Sequence, residues 1–240
     1  VLYVVDTNST AFSATVYYQV EGGTIRHTET LKGYIGETKV IASHPINGYK
    51  VKDNLQPTEI TILENNSATA TVLYVVDTNV KTFKGTVRYR VDGEVTHRHE
   101  EIVYGYIGEL VDIPEHGISG YTPKLGEPTQ ITIRENNLAL VIVVYKVDQT
   151  QNTFTGVVEY RIPGEVDPRH TASVAGYIGQ VIDIDAHAIK GYKAIATAPT
   201  TITIKENNSA KAIVYYEIDE SYTLFTGVVF HKIGGETEDT

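Results

Sequence analysis

The chain has 240 residues, and its 20 Lys and Arg against 30 Asp and Glu give a formal net charge of −10. A charge of this sign repels phosphate backbones and anionic membrane surfaces, so nucleic acid is excluded as a partner. The sequence contains no Cys, which excludes disulfides, Cys-ligated zinc and Cys nucleophiles.

One pattern recurs four times along the chain. Its phenylalanines are 71 residues apart, at Phe12, Phe83, Phe154 and Phe225. Repetition at a fixed period is typical of an array of like units that stack on their neighbours. We therefore predict a closing strand of a preceding repeat over residues 1–8, repeats over 9–79, 80–150 and 151–221, and the opening hairpin of a truncated fourth repeat over 222–240.

Each repeat opens with apolar residues at alternate positions, as in Val16, Tyr18 and Val20. This period of two is typical of a half-buried strand. Gly22-Gly23 follows, and glycine supplies the positive φ that tight hairpin turns require. The pattern predicts a hairpin at the start of every repeat.

Two glycine–tyrosine motifs follow this hairpin. The first is Gly-Tyr-Ile-Gly, and a Gly-Tyr pair comes 15 residues after its first glycine. We interpret both as structural signatures of turns between short strands. Their residues are Gly33, Tyr34, Gly36, Gly48 and Tyr49 in the first repeat, Gly105, Tyr106, Gly108, Gly120 and Tyr121 in the second, and Gly176, Tyr177, Gly179, Gly191 and Tyr192 in the third.

The repeat closes with a Glu-Asn-Asn turn and a long apolar segment, residues 64–66 and 72–76 in the first copy. Apolar residues at nearly every position predict an interior strand that is covered on both faces. The links between repeats are short and contain no Pro-rich or Ser-rich stretch. We therefore expect a mainly β array of domains of about 71 residues that forms an elongated, semi-rigid rod.

Six histidines fall in two repeated columns, and the two histidines of each pair are 17 residues apart. Imidazole is a common metal ligand and titrates near neutral pH, so one interpretation is a two-His metal or pH-sensing site. The other is a pair of inherited surface or turn positions, because a nearby carboxylate recurs irregularly and no Cys accompanies them. The metal candidates are His27, His44, His99, His116, His170 and His187.

Asp6-Thr-Asn8 and Asp77-Thr-Asn79 have the oxygen-rich composition of a calcium loop. The later copies, which begin at Asp148 and Asp219, lack the Asn. Asp at a turn commonly accepts a hydrogen bond from its own backbone two residues on. The pattern therefore favours a turn, with calcium as the alternative.

Motifs of catalysis and of membrane insertion are both missing from the sequence. It has no phosphate-binding Gly-rich loop, no Gly-x-Ser-x-Gly elbow and no His-Glu-x-x-His helix. No apolar run approaches the 18 or so residues that cross a bilayer. We therefore expect no enzyme activity, no cofactor and no membrane insertion in this segment.

The Val-x-Tyr strand, Gly105-Tyr-Ile-Gly-Glu109 and Ile118-Ser-Gly-Tyr121 together resemble the MucBP (mucin-binding protein) repeats of Gram-positive surface adhesins. The resemblance covers every full repeat. It implies small β-grasp-like domains on an extracellular, cell-surface protein that is anchored outside this segment. It also implies host mucin or glycans as partners, next to neighbouring repeats or chains of the same protein.

These expectations combine into one function and one alternative. The segment is expected to be a stalk of a bacterial adhesin and a multivalent mucin or glycan binder, since repeated weak sites gain avidity and repeated spacers gain reach. The alternative is a purely structural, fibre-forming protein that assembles end to end through strand pairing.

Overall fold

A computed structural model describes residues 1–9, 11–53, 56–223 and 227. Within this part of the chain the ordered structure is 18 β-strands and three short 3₁₀ turns. The mainly β fold class that the sequence predicts is therefore confirmed. Among the same residues, no helix has the length and apolar character needed to cross a membrane.

The first repeat contains six strands, which form a four-stranded sheet and a two-stranded ribbon. The sheet has the order β2-β1-β6-β4, with the central strands β1 and β6 parallel and both edge strands antiparallel to their neighbours. The ribbon pairs β3 with β5. The strands are β1 (Phe12–Val20), β2 (Ile25–Gly33), β3 (Thr38–Val40), β4 (Tyr49–Val51), β5 (Glu59–Thr61) and β6 (Ala68–Val76).

The same strand order recurs twice, as β8-β7-β12-β10 with the ribbon β9-β11, and as β14-β13-β18-β16 with the ribbon β15-β17. A central parallel pair made by the first and last strands is the β-grasp arrangement, so the tandem β-grasp-like array is confirmed. The remaining strands are β7 (Phe83–Val91), β8 (His99–Gly105), β9 (Leu110–Asp112), β10 (Tyr121–Pro123), β11 (Gln130–Thr132), β12 (Ala139–Val147), β13 (Phe154–Arg161), β14 (His170–Gly176), β15 (Val181–Asp183), β16 (Tyr192–Ala194), β17 (Thr201–Thr203) and β18 (Ala210–Ile218).

The chain forms two compact units. Unit 1 comprises Val1–His116 and Lys124–Val144, and unit 2 comprises Gly117–Pro123 and Tyr145–Thr240. Unit 1 thus holds the first sheet and most of the second, and unit 2 holds the third sheet together with the short strand β10 and residues 145–147 at the end of β12. The repeat boundaries at 9–79, 80–150 and 151–221 remain predictions.

Each core lies on one face of its four-stranded sheet. In the first repeat, Val16 and Tyr18 of β1 are 0% and 1% exposed and pack with Val72 of β6. Ile60 and Ile62, in and beside the ribbon, belong to the same cluster. The alternation along β1 thus confirms the predicted half-buried strand, and the ribbon is the second layer of this small core.

The closing strand is interior, as predicted, but the prediction that both of its faces are covered is wrong. On β12, Val143 and Tyr145 are 5% and 3% exposed, whereas Leu140 and Ile142 on the opposite face are 52% and 38% exposed. The ribbon covers only one face of the sheet. Outward β-branched and aliphatic residues suit a pleated strand even when only one face is buried.

The structure differs from the prediction at the beginning of the chain, and the prediction for its end cannot be compared with it. Residues 1–8 form no strand, and Val1 to Val4 are more than four-fifths exposed. The equivalent strand β6 is ordered by its pairing with β1 and β4, and residues 1–8 have no such strand partners in the described part of the chain. The hairpin predicted over 222–240 lies outside the described residues except for 222, 223 and 227.

The Glu-Asn-Asn segments form the three 3₁₀ turns, Glu64–Asn66, Glu135–Asn137 and Glu206–Asn208. Both asparagines of each turn have a φ of +54° to +61°, a left-handed conformation that Asn tolerates better than most residues. The second Asn also accepts a hydrogen bond from the first strand of its repeat. Asn137 Oδ1, for example, lies 2.7 Å from the backbone N of Lys84. The turn therefore ties the closing strand to the opening strand.

We expect Asn137→Gly to lower the free energy of unfolding by about 1 kcal/mol, because it removes this hydrogen bond while keeping the positive φ. Asn136→Gly is the matched control, since it changes the neighbouring left-handed residue and should shift stability by only a few tenths of that amount. Urea unfolding of both variants measures the difference. Equal losses in the two variants would contradict the role assigned to the Asn137 side chain.

Candidate functional site

The two histidine columns meet in space. His27 on β2 and His44 in the loop after β3 stack with ring centroids 3.8 Å apart and planes 3° from parallel. The pairs His99–His116 and His170–His187 repeat this geometry at 3.8 Å, with interplanar angles of 3° and 5°. Sequence spacing thus correctly singled out residues that lie together.

Each histidine pair lies against a buried tyrosine of the first strand. Tyr18, Tyr89 and Tyr160 are at most 2% exposed, and their rings lie 4.9 to 5.7 Å from the imidazoles. Their hydroxyls donate to loop carbonyls, as in the 2.6 Å bond from Tyr89 to Pro114. Burial raises the pKa of Tyr18 and of Tyr160, so both hydroxyls stay protonated as donors.

A second tyrosine, on the closing strand, holds the same loop. The Tyr74 hydroxyl donates to the carbonyl of His44, and the Tyr216 hydroxyl donates to that of His187. Burial raises the pKa of both phenols. The second histidine of each of these pairs is therefore positioned by its own backbone carbonyl, bound to the sheet beneath.

This geometry favours a structural role for the histidines over metal binding. An imidazole lone pair lies in the plane of its ring, and two parallel planes 3.8 Å apart do not meet at a common ion. Among the described residues, no group of three or more His, Cys, Asp or Glu is arranged to hold a metal. The six histidines remain candidates by sequence alone.

The Gly-Tyr-Ile-Gly motif forms a turn closed by the residue that follows it. The Glu109 carboxylate accepts the backbone N–H of Tyr106 at 2.9 Å and pairs with Lys81, which holds the pKa of Glu109 below its usual range. A Cβ at Gly105 would lie 2.6 Å from that carboxylate. Glycine therefore suits this crowded position, where a Cβ would also lie 2.9 Å from Ile133 Cγ1. Gln180 replaces the carboxylate in the third repeat and accepts from Tyr177 at 3.1 Å.

The Gly48-Tyr49 pair makes the contact between the first and second sheets within unit 1. Gly48, with a φ of +83°, lies against Phe83 and Ile107, and a Cβ there would come within 2.6 Å of both side chains. The Gly48 carbonyl accepts the backbone N–H of Asp77 at 2.9 Å. Because Gly48 has no side chain, its backbone contacts the Phe83 ring of the second repeat directly.

A polar contact lies beside this apolar one. The Tyr49 hydroxyl donates to Glu135, the first residue of the second Glu-Asn-Asn turn. Arg26 forms an ion pair with the same carboxylate at 2.6 Å and lies over the Tyr49 ring at 5.8 Å. We call the set Gly48, Tyr49, Phe83, Ile107 and Glu135 the junction.

The junction recurs within unit 2 with equivalent residues. A Cβ at Gly120 would lie 2.7 Å from the Phe154 ring and closer still to Ile178, and the Tyr121 hydroxyl donates to Glu206. The Gly191 carbonyl of the third repeat accepts from Asp219 at 3.0 Å. Phe225, the residue equivalent to Phe83, lies outside the described residues.

Sequence reasoning found the members of the junction but not their association. Phe83, Gly48 and Glu135 all lie in repeated columns, but each column by itself indicates only a strand or a turn. The positive φ of Gly48 is a local feature, but the clash that a Cβ would make there involves Phe83 and Ile107 of a different repeat. The one available signal is the near-constant spacing of these columns, 71 residues from Phe83 to Phe154 and 72 from Gly48 to Gly120.

The aspartates at the repeat boundaries form turns, as predicted. In all four copies the carboxylate accepts the backbone N–H two residues on, at 2.9 Å for Asp6 and 3.1 Å for Asp77. Asp148 and Asp219 also accept from the side chains of Thr150 and Ser221. These hydrogen bonds lower the pKa of Asp148 and of Asp219.

Comparison with known proteins gives a family match. The model of the MucBP domain family matches residues 13–75 and 141–221, which is more than half of the chain. Internalin J of Listeria monocytogenes serotype 4b (strain F2365) is 28% identical over 202 residues, covering 83% of this chain and 21% of the relative. The chain thus spans about a fifth of the length of that curated relative.

Two solved structures are similar over 57% of this chain. One is described as the crystal structure of Mub-RV, with 17% identity, 99% of its chain covered and a TM-score of 0.21. The other is the type 2 repeat of the mucus binding protein MUB from Lactobacillus reuteri, with 15% identity, 100% of its chain covered and a TM-score of 0.22. Both scores are low, so the fold assignment rests on the strand pairing.

We expect zinc to leave the melting temperature of the chain unchanged. A bound ion would stabilise the folded state and raise this temperature, but the two stacked imidazoles share no plane in which both could bind one ion. Thermal unfolding with and without a tenfold molar excess of zinc measures this. A rise of several degrees that disappears in His27→Gln would show instead that the histidines hold a metal.

Proposed function

Since the chain belongs to the MucBP domain family, we propose that it is a non-enzymatic repeat segment of an extracellular, cell-surface adhesin and acts there as a stalk. The observation that carries this proposal is the junction. A stalk has to transmit force from one repeat to the next and to keep the repeats at a fixed spacing. Contacts that recur at the period of the repeat are the feature that this task requires.

The junction combines two kinds of interaction suited to this role. Phe83 is 5% exposed and covers the Gly48 backbone, so separating the sheets in unit 1 would expose a large aromatic ring to water. The Tyr49 hydroxyl donates to the Glu135 carboxylate, which also pairs with Arg26, and this directional polar contact restricts the direction of approach. Apolar burial thus resists separation, and the polar contact resists rotation.

Mucin or glycan binding is the second candidate function. The MUB repeat is described as part of a mucus binding protein. The specific observation in its favour is an open cleft in the third repeat.

End-to-end assembly into a fibre is the alternative to a stalk. Residues 1–8 are identical in sequence to residues 72–79, which include the end of β6, yet they form no strand and expose Val1 to Val5. An unpaired copy of a central strand could add to another sheet.

Small-angle X-ray scattering over a concentration series separates these proposals. For a stalk we expect a radius of gyration well above the roughly 18 Å of a compact 240-residue chain, independent of concentration. A value near that of a compact particle would contradict the stalk. Forward scattering that grows steeply with concentration, and is abolished by deleting residues 1–8, would favour the fibre.

The junction itself is tested by two glycine substitutions at nearly equal φ. Gly48→Ala should lower the free energy of unfolding by about 1 kcal/mol for its positive φ and by a further 1 to 3 kcal/mol for the clash with Phe83 and Ile107. Gly36→Ala has a φ of +84° but open space around the new Cβ, so it should show only the first loss. Chemical denaturation of both variants gives the two values.

Equal losses in the two variants would mean that the junction contributes no packing energy. Tyr49→Phe removes only the hydroxyl and should cost about 1 to 3 kcal/mol. Tyr17→Phe, at a hydroxyl with no hydrogen-bond partner among the described residues, should cost almost nothing. A Tyr49→Phe chain as stable as the parent would contradict the polar half of the junction.

A further inference from the structure

One position just after the short edge strand differs between the three repeats. The backbone N–H groups of Lys52, Lys124 and Ile195 donate to the carbonyls of Leu73, Val144 and Tyr215 at 2.9, 2.9 and 3.0 Å. These three hydrogen bonds show that the residues are structurally equivalent. The first two repeats therefore carry a lysine where the third carries an isoleucine.

In the first two repeats this lysine reaches the turn of the opening hairpin. Lys124 pairs with Asp92 at 2.9 Å, and Lys52 pairs with Glu21. In the third repeat the residue equivalent to Asp92 is Pro163, so both partners of the ion pair have been replaced by apolar residues. The closing-strand residue also changes, from Leu73 or Val144 to Tyr215.

These replacements leave an open cleft of about 450 Å³ in the third repeat. Arg161, Pro163, Glu165, Ile195 and Tyr215 line it. Tyr215 is 40% exposed, so part of its ring is available to a ligand. The volume lies within the range of small-molecule sites, and the mixture of one aromatic ring, apolar walls and a few polar groups is typical of them.

The polar groups of the cleft are held in place. Arg161 Nε donates to Glu159 at 2.6 Å and Nη1 donates to the carbonyl of Val166 at 3.0 Å. Glu159 is fixed in turn by Lys211 at 2.6 Å. These bonds orient the guanidinium while further N–H groups remain on a side chain that lines the cleft. Such pre-organisation lowers the entropic cost of binding.

The opposite polar wall is an acceptor. Glu165 pairs with Arg169, which holds the pKa of this carboxyl below its usual range. Glu165 is therefore ionised and can accept hydrogen bonds from hydroxyl groups. One cation and one anion line the cleft, so its formal charges cancel, and this balance favours an uncharged ligand rich in hydroxyls.

We propose that this cleft binds a neutral pyranose residue of a glycan. The C–H face of the sugar lies on the Tyr215 ring, Arg161 donates to its hydroxyls and Glu165 accepts from them. In the first two repeats the lysine ion pair occupies the equivalent place. This inference rests on the proposed role as a segment of an extracellular adhesin, and it adds the class of ligand that the segment binds outside the cell.

Saturation-transfer difference NMR on the whole chain tests this site, with methyl β-galactopyranoside and methyl β-glucopyranoside as neutral probes and N-acetylneuraminic acid as an anionic one. We expect saturation of the neutral pyranoside ring protons by the parent chain. Tyr215→Val, which installs the residue of the second repeat, should weaken binding about tenfold by removing the stacking surface. Ile195→Lys should weaken it comparably by filling the cleft.

Tyr104→Val is the matched control, because Tyr104 is 55% exposed and belongs to the second repeat. It should leave binding unchanged, and thermal unfolding of each variant verifies that the fold is retained. Absence of saturation transfer to both neutral probes, equal loss in Tyr104→Val and Tyr215→Val, or tighter binding of the anionic sugar would each overturn the proposal. None of these results bears on the stalk, which is measured by scattering and by the junction variants.

Discussion

The parallel pairing between the first and last strands of a repeat is the interaction on which the rest of the structure depends. Ala14 pairs with Ala68 and Val20 with Tyr74, so residues more than fifty positions apart are joined in register. This pairing places the apolar faces of both strands on one side, where the ribbon isoleucines cover them. It also closes each sheet before the chain enters the next repeat.

The closing strand is central, so the turn and the loop beside it form hydrogen bonds with the two central strands. The Asn of the Glu-Asn-Asn turn binds the opening strand, and tyrosines on both central strands bind the loop that carries the second histidine. A core of this size buries a limited amount of apolar surface. Hydrogen bonds from buried hydroxyls to loop carbonyls therefore matter more here than in a larger domain.

Local features of this fold could be predicted from the sequence, and non-local ones could not. The hairpin of β1 and β2, the Gly-Tyr turns and the Asp turns each depend on neighbouring residues, and repetition made their patterns easy to recognise. One-sided burial of β12 could not be predicted, because an apolar run does not reveal how many layers cover it. The junction escaped prediction for a related reason, since Gly48 and Phe83 are joined only by tertiary packing. The cleft depends on Ile195, Pro163 and Tyr215, three departures from the repeat that pattern matching ignores.

The junction also bears on how a gene of this kind can change. Its contributions from one repeat are a glycine and a tyrosine, its contributions from the next are a phenylalanine, an isoleucine and a glutamate, and the same types recur one period later at Gly120, Phe154 and Glu206. Recombination that inserts or removes a whole 71-residue block therefore joins surfaces that already fit. The length of the array can vary by unequal crossing-over without any new interface having to arise.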